Sequence, residues 1–313
     1  MSENSFEGIY PAITTPINDD NSINYPALEN HLDYLEQNGV HGVVPAGCTG
    51  HAAALGDHGE GLYEEHTEFI SKTAEYTDLP ILAGTGMNTP KQAIELATKV
   101  EENADIDAHM MIAGYVNCPP QDQLVDHYKK VASEVEEPIV AYTVPGRTGT
   151  DIGVDGAVEL AETEGIVGLK EASEDTSQVY EILRELERTG NEDFDILSGV
   201  DSLNHFFYDA GGTGAISVSA NLAPEESVEV WETGYLEDDR QESYERNREL
   251  QDLHSAMFQE GEKNPIGVQY GMNLMGFDYG TPRPPLDREP RQDQQYNNRK
   301  EIEQALDDLD LPE

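Results

Sequence analysis

Basic residues are scarce in this chain. Eighteen lysines and arginines stand against 63 aspartates and glutamates, a formal net charge of −45 over 313 residues. Such a field repels nucleic acid and anionic lipid, so neither nucleic acid nor a membrane is expected as a partner. Cysteine is nearly absent: Cys48 and Cys118 are the only two. That excludes a disulfide framework and fits a reducing compartment. Cysteine pairs at zinc spacing and an HExxH pattern are both missing, so no metal is expected, and no other cofactor. His51 and His58 share a glycine-containing loop and read as polar loop residues rather than ligands. No apolar run is long enough to span a bilayer. The first residues, Met1 to Gly8, hold neither a basic stretch nor an apolar core, so no signal peptide is expected and the location reads as cytoplasmic.

An acidic chain with few apolar residues would be disordered, but regular apolar segments recur along this one. A folded protein so charged repels itself in dilute buffer. In molar salt the Debye length falls to roughly 3 Å and most of that repulsion disappears. The expectation is therefore a salt-rich cytoplasm, as in a halophile, with the carboxylates as a hydrated surface.

Against this background one base is out of place. The chain has eight lysines, and Lys170 ends the apolar run of Gly165-Ile166-Val167-Gly168-Leu169-Lys170. A short apolar run bounded by glycine reads as a buried strand. Burying an ammonium costs several kcal/mol, on the order of 3, unless it is paired or loses its proton. Two readings stand: a long stem that carries its charge out at the strand end, or a catalytic amine.

A strand-then-helix rhythm recurs roughly every 25 to 30 residues, the spacing of βα units. Strands are expected at Ile9–Ile17, Gly42–Ala46, Ile81–Thr85, His109–Ala113, Ile139–Val144, Ile166–Lys170, Asp195–Gly199 and Gly214–Val218. Amphipathic stretches lie between them, including Tyr25–Asn38, Leu62–Tyr76, Pro90–Glu102, Gln121–Val135 and Val154–Glu162. Thr89 and Pro90 make a matched N-cap and first-turn pair. Eight units in one series fit an α/β (β/α)8 TIM barrel better than an open doubly wound sheet. After Pro224 the rhythm stops, and Glu225–Tyr235, Arg240–Met257 and Pro265–Met275 read as helices. The expected organisation is a catalytic barrel over 1–224, then a C-terminal helical appendage over 225–313. Within the latter, Gly280–Gln295 reads as loop and Asn297–Leu309 as an acidic tail helix.

In such barrels chemistry gathers at the carboxyl ends of the strands. Those ends carry Thr14, Thr15, Cys48, Thr49, Tyr142, Arg147, Lys170, Asp201 and Ser217. A desolvated lysine there can attack a carbonyl carbon, a tyrosine can shuttle protons, and a glycine-rich turn can hold a carboxylate on its N–H groups. Taken singly each has a plainer reading, such as a core ring for Tyr142 or a tight turn for Gly47-Cys48-Thr49-Gly50. A regulatory barrel without turnover, or a metal-dependent aldolase, would be a different class of answer. An amine, a phenol and a guanidinium together at Lys170, Tyr142 and Arg147 speak against the first, and the lack of a strand-end histidine cluster against the second.

The order of Gly47-Cys48-Thr49-Gly50, Tyr142-Thr143-Val144-Pro145-Gly146-Arg147 and Gly168-Leu169-Lys170-Glu171-Ala172-Ser173 resembles the dihydrodipicolinate synthase/N-acetylneuraminate lyase superfamily. Tyr10-Pro11-Ala12-Ile13-Thr14-Thr15-Pro16, Leu197-Ser198-Gly199 and Gly211-Gly212-Thr213-Gly214-Ala215-Ile216-Ser217 extend the likeness over roughly residues 8 to 225. The resemblance implies class I Schiff-base chemistry on pyruvate or another 2-keto acid, in a homotetramer built from dimers or in a homodimer. It implies Lys170 as the Schiff-base amine, with Tyr142 and Cys48 in its proton relay. Thr49 then holds the pyruvate carboxylate, Arg147 receives the carboxyl group of aspartate semialdehyde, and the backbone of Ile216 lines the pocket.

Three positions depart from the pattern. Cys48 stands where the superfamily has a hydroxyl, and a thiol is a weaker hydrogen-bond donor. His51 replaces a usual glutamate. Val116 takes the place of a tyrosine that synthases insert into a neighbouring subunit's site. Tyr115 beside it is expected to face away, since adjacent strand residues do. The synthase branch, condensing pyruvate with aspartate semialdehyde in lysine and diaminopimelate biosynthesis, is the leading expectation because Arg147 suits a second carboxylate. An aldolase or dehydratase of 2-keto-3-deoxy sugar acids is the alternative, favoured by Cys48 and Val116.

Overall fold

The structure is a computed structural model and describes residues 5–56, 63–259, 263–292, 297–309 and 311. His58 lies outside the described residues. Seven parallel strands form one sheet: β1 (Gly8–Pro11), β2 (Leu82–Gly84), β3 (Ala108–Ile112), β4 (Ile139–Thr143), β5 (Ile166–Glu171), β6 (Asp195–Ser198) and β7 (Gly214–Ser217). Their order is β1-β7-β6-β5-β4-β3-β2. The expected strand Gly42–Ala46 is reduced to two bridges, Ala12 with Val44 and Val43 with Ile81. Those bridges nevertheless join the two ends of the sheet. Val44 N–H donates to Pro11 at 2.9 Å, and Leu82 N–H donates to Val43 at 3.0 Å. The sheet therefore closes into a barrel, as the eight βα units predicted.

Alternation along each strand divides the core in two. Tyr10, Val44, Leu82, Met110, Val140, Leu197 and Ile216 fill the inside. Their neighbours, such as Ile9, Val43, Met111, Ala141 and Leu169, face the helices in the larger outer core. The strands match the expected runs to within a residue or so, except that β1 ends at Pro11 rather than Ile17. Beyond it Ile17 instead pairs antiparallel with Ile23.

The outer helices begin where local chemistry starts them. Thr89 accepts from the Gln92 N–H, with Pro90 in the first turn of Pro90–Glu101. Asp175 caps Thr176–Thr189 through the N–H groups of Ser177 and Gln178. Pro224–Trp231 sits just past the expected boundary at 224/225, packs on β1, and donates a Trp231 indole hydrogen bond to Thr213. Its end widens into a π-turn over Glu232–Leu236. The single helix expected over Arg240–Met257 is two, Arg240–Glu249 and Gln251–Met257, meeting at Leu250. Among the described residues no helix is long and apolar enough to cross a membrane.

Candidate active site

Of the eight lysines only Lys170 is buried, 5% exposed. Its place in β5 sets it beside Tyr142 of β4 on one flank and Leu197 of β6 on the other. Tyr142 lies two residues on from the inward Val140 and Lys170 lies opposite the inward Leu197, so both side chains point inward at the carboxyl end of the barrel. The Lys170 Nζ lies 4.5 Å from the centroid of the Tyr142 ring. Snorkelling to solvent is therefore not how this stem ends. Burial pulls the Lys170 ammonium down to about 8, the Cys48 thiol and the Asp201 carboxylate oppose the shift, and Arg147 adds to it. An amine so placed is substantially deprotonated in mildly alkaline water and can act as a nucleophile. Burial drives the Tyr142 phenol far up, with Cys48 in the same direction and Arg147 against it, so it remains a proton donor.

The turn Gly47-Cys48-Thr49-Gly50 follows the bridging segment across the barrel mouth. It is bracketed by left-handed residues, Ala46 at φ 56° and His51 at φ 52°. Gly50 is closely packed: a Cβ there would lie 3.0 Å from the Ile13 carbonyl oxygen and 3.2 Å from the Ala46 nitrogen. Three groups hold the turn. Thr15 Oγ1 donates to the Gly50 carbonyl at 2.6 Å, Asn264 Nδ2 donates to Thr49 Oγ1 at 2.9 Å, and the Ala52 N–H returns to Gly47 at 3.2 Å. Among the described residues the N–H groups of Cys48 and Thr49 meet no acceptor, which leaves them available to an anion.

Arg147 sits on the short helix Pro145–Thr148 and is exposed. Behind that helix, Thr143 Oγ1 donates to Asp151 Oδ1 at 2.7 Å, and Gln178 Nε2 bonds Asp151 Oδ2 at 2.8 Å. Ile216 is buried on β7 opposite Tyr10. Asp201 is buried after β6 and accepts the N–H groups of Val218 and Ser219 at 2.9 and 2.8 Å, fixing the chain that leaves β7. Thr14 N–H bonds Asn221 Oδ1, and its hydroxyl donates to Gln269 Oε1 at 3.5 Å, deep in the core. Ser217 Oγ lies 3.4 Å from Ser219 Oγ, on the outward side of β7.

Tyr115 follows the end of β3 at Ile112 by three residues. It lies in a turn beyond β3, where strand alternation does not apply. The ring is half-buried, and burial, with the Cys48 thiol adding to it, raises its phenol. Val116 beside it projects outward, 71% exposed. Sequence reasoning also missed Asn264 and Arg283, which reach the Gly47–Ala54 loop from the helical region. The available signal was their setting: one scarce base held between prolines in Pro282-Arg283-Pro284-Pro285. Among the described residues no group of three or more histidine, cysteine, aspartate or glutamate side chains could hold a metal ion.

The model of the dihydrodipicolinate synthetase family matches residues 5–306. The chain belongs to that family. Within it, the chain is 38% identical over 311 residues to the 4-hydroxy-tetrahydrodipicolinate synthase of Natronomonas pharaonis, covering 99% of this chain and 100% of the relative. It is 41% identical over 281 residues to the enzyme of the same name from Archaeoglobus fulgidus, covering 90% and 92%. Among solved structures, the chloride-inhibited dihydrodipicolinate synthase of Acinetobacter baumannii complexed with pyruvate superposes with a TM-score of 0.88 at 33% identity, over 98% of this chain and all of that one. The dihydrodipicolinate synthetase family thus accounts for the barrel and the C-terminal helices together.

Proposed function

We propose that the chain is a class I Schiff-base carbon–carbon synthase that condenses pyruvate with aspartate semialdehyde, the 4-hydroxy-tetrahydrodipicolinate synthase reaction. The observation that carries this reading is the buried amine of Lys170 above the Tyr142 ring, on neighbouring strand ends of the barrel. The neutral Nζ attacks C2 of pyruvate, and the carbonyl oxygen leaves as water once protonated, giving an imine. Loss of a methyl proton gives an enamine, whose carbon attacks the aldehyde carbon of the second substrate while the aldehyde oxygen takes up a proton. The amino group of that substrate then displaces Lys170 and closes the ring. Tyr142 and Cys48 carry the protons, the Cys48 and Thr49 N–H groups with the Thr49 hydroxyl hold the pyruvate carboxylate, and the Ile216 backbone lines the pocket. Arg147 receives the second carboxylate. The imine nitrogen itself is the electron sink, so the route needs neither metal nor cofactor.

The same reading takes residues 1–224 as the catalytic barrel and 225–313 as its helical region. It places a homotetramer or homodimer in a salt-rich cytoplasm, where screening relieves the charge of −45. The test is to incubate the protein with pyruvate and borohydride in high salt, then map the adduct by intact mass and peptide sequencing. Borohydride reduces the imine to a stable secondary amine, and a pyruvate-sized adduct on Lys170 is expected. An adduct elsewhere, or none, would remove Lys170 from its role.

A further inference from the structure

Arg283 is 2% exposed, and all five of its donor hydrogens are taken. Nε and Nη2 both bond the Asn21 carbonyl, at 2.9 and 2.6 Å. Nη1 and Nη2 form a forked pair with Glu65, at 2.7 Å to Oε2 and 2.6 Å to Oε1. The remaining Nη1 hydrogen reaches the Ala54 carbonyl at 2.9 Å. Glu65 Oε2 also accepts the Gly56 N–H at 2.7 Å, so one carboxylate ties the guanidinium and the outgoing loop together. Burying so many charge-assisted bonds fixes geometry more than it adds stability, because desolvation offsets much of their attraction.

What this clamp fixes is the far end of the loop whose near end is Gly47-Cys48-Thr49-Gly50. Six residues separate Gly47 from Ala54, and internal bonds run from Ala52 N–H to Gly47 and from Ala54 N–H to His51. The loop is therefore a short rigid arch, held at Gly50 by Thr15, at Thr49 by Asn264 and at Ala54 by Arg283. Two of those three supports come from the region after the barrel. We propose that Arg283, through Glu65, is a positioning residue for the substrate carboxylate: it holds the arch so that the free N–H groups of Cys48 and Thr49 converge on one anion. This rests on the reading of that turn as the carboxylate cradle. Arg283 touches no reacting atom, and Lys170 and Tyr142 stand on other strands, so the clamp bears first on pyruvate capture and reaches the chemical step only through Cys48, which rides on the same arch.

The experiment compares the parent with Arg283→Lys and Glu65→Gln in high salt. The extent of borohydride trapping is read against pyruvate concentration, alongside steady-state rates and thermal midpoints. Lysine supplies one ammonium and cannot span both Glu65 oxygens and the Ala54 carbonyl. A displaced cradle should raise half-saturating pyruvate roughly ten- to a hundredfold in Arg283→Lys. The rise should be smaller in Glu65→Gln; in both variants kcat at saturating pyruvate, which Cys48 touches, should fall by a smaller factor than half-saturating pyruvate rises, and KM for the aldehyde should stay within about twofold of the parent. An unchanged half-saturation in a folded Arg283→Lys variant would overturn the proposal. So would kcat and both KM values worsening together with a collapsed thermal midpoint, or failure of both variants to fold, since each assigns the clamp to stability alone. A parent that traps no pyruvate contradicts the Schiff-base reading itself, which separates the two outcomes.

Discussion

Lys170 owes its lowered affinity for protons chiefly to burial, and only in smaller part to the positive charge of Arg147. The consequence for stability has a definite sign. The free side chain titrates near 10.5 and the folded one near 8, so between those values the unfolded chain binds the extra proton. Stability therefore rises with pH across that window, and the full penalty is present below about 8. Lys170→Met removes the penalty and keeps the stem. It should be more stable than the parent at pH 7, by on the order of 3 kcal/mol, with the gap closing toward pH 10.5. Denaturant unfolding at the two pH values reads this directly. A Met variant no more stable at pH 7 would mean that the amine is well solvated. Lys170 was legible in the sequence because a base at the end of an apolar run is anomalous in any chain, and more so in an acidic one. Arg283 and Asn264 were not, because no periodicity marks their segment. Their partners, Glu65 and Thr49, lie some 215 residues away or more.

At the level of elements, β5 and β6 must approach closely for Lys170 to stand where it does. Gly199, just past β6, makes that approach possible. A Cβ there would lie 2.7 Å from the Ala172 Cβ and 3.0 Å from the Lys170 Cε. Gly199→Ala should push the amine off the Tyr142 ring and cut turnover about tenfold or more, while costing about 1–3 kcal/mol of stability from overpacking. Activity and unfolding measured on the same preparation check both numbers; wild-type turnover would show that the strands can part without moving the lysine. Strands were readable as short apolar runs because both of their faces are buried. Gly42–Ala46 was readable too, yet only Val43 and Val44 pair, since the chain turns at once into the left-handed Ala46. The sequence likewise does not mark where β3 gives way to the turn that holds Tyr115.

For the whole molecule, the recurrence of βα units made the barrel legible before any contact was known. Its closure depends on two bridges that no propensity rule would single out. The net charge of −45 speaks to solvent and not to chemistry. Its ion pairs on the outer helices, such as Lys91 with Glu95 and Lys130 with Glu134, are exposed and contribute little each. What defines the molecule is one buried amine, a proton-holding phenol and a glycine-bounded turn supported from behind by Asn264 and Arg283 of the C-terminal region. The departures at Cys48 and Val116 bear on which aldehyde meets the enamine, and that choice is the most direct test of the function. Purified protein in high salt should be given pyruvate with aspartate semialdehyde, and separately 2-keto-3-deoxygluconate. Rapid loss of both substrates of the first pair, with little turnover of the sugar acid, is the predicted result. Cleavage or dehydration of the sugar acid outrunning the condensation would contradict the account.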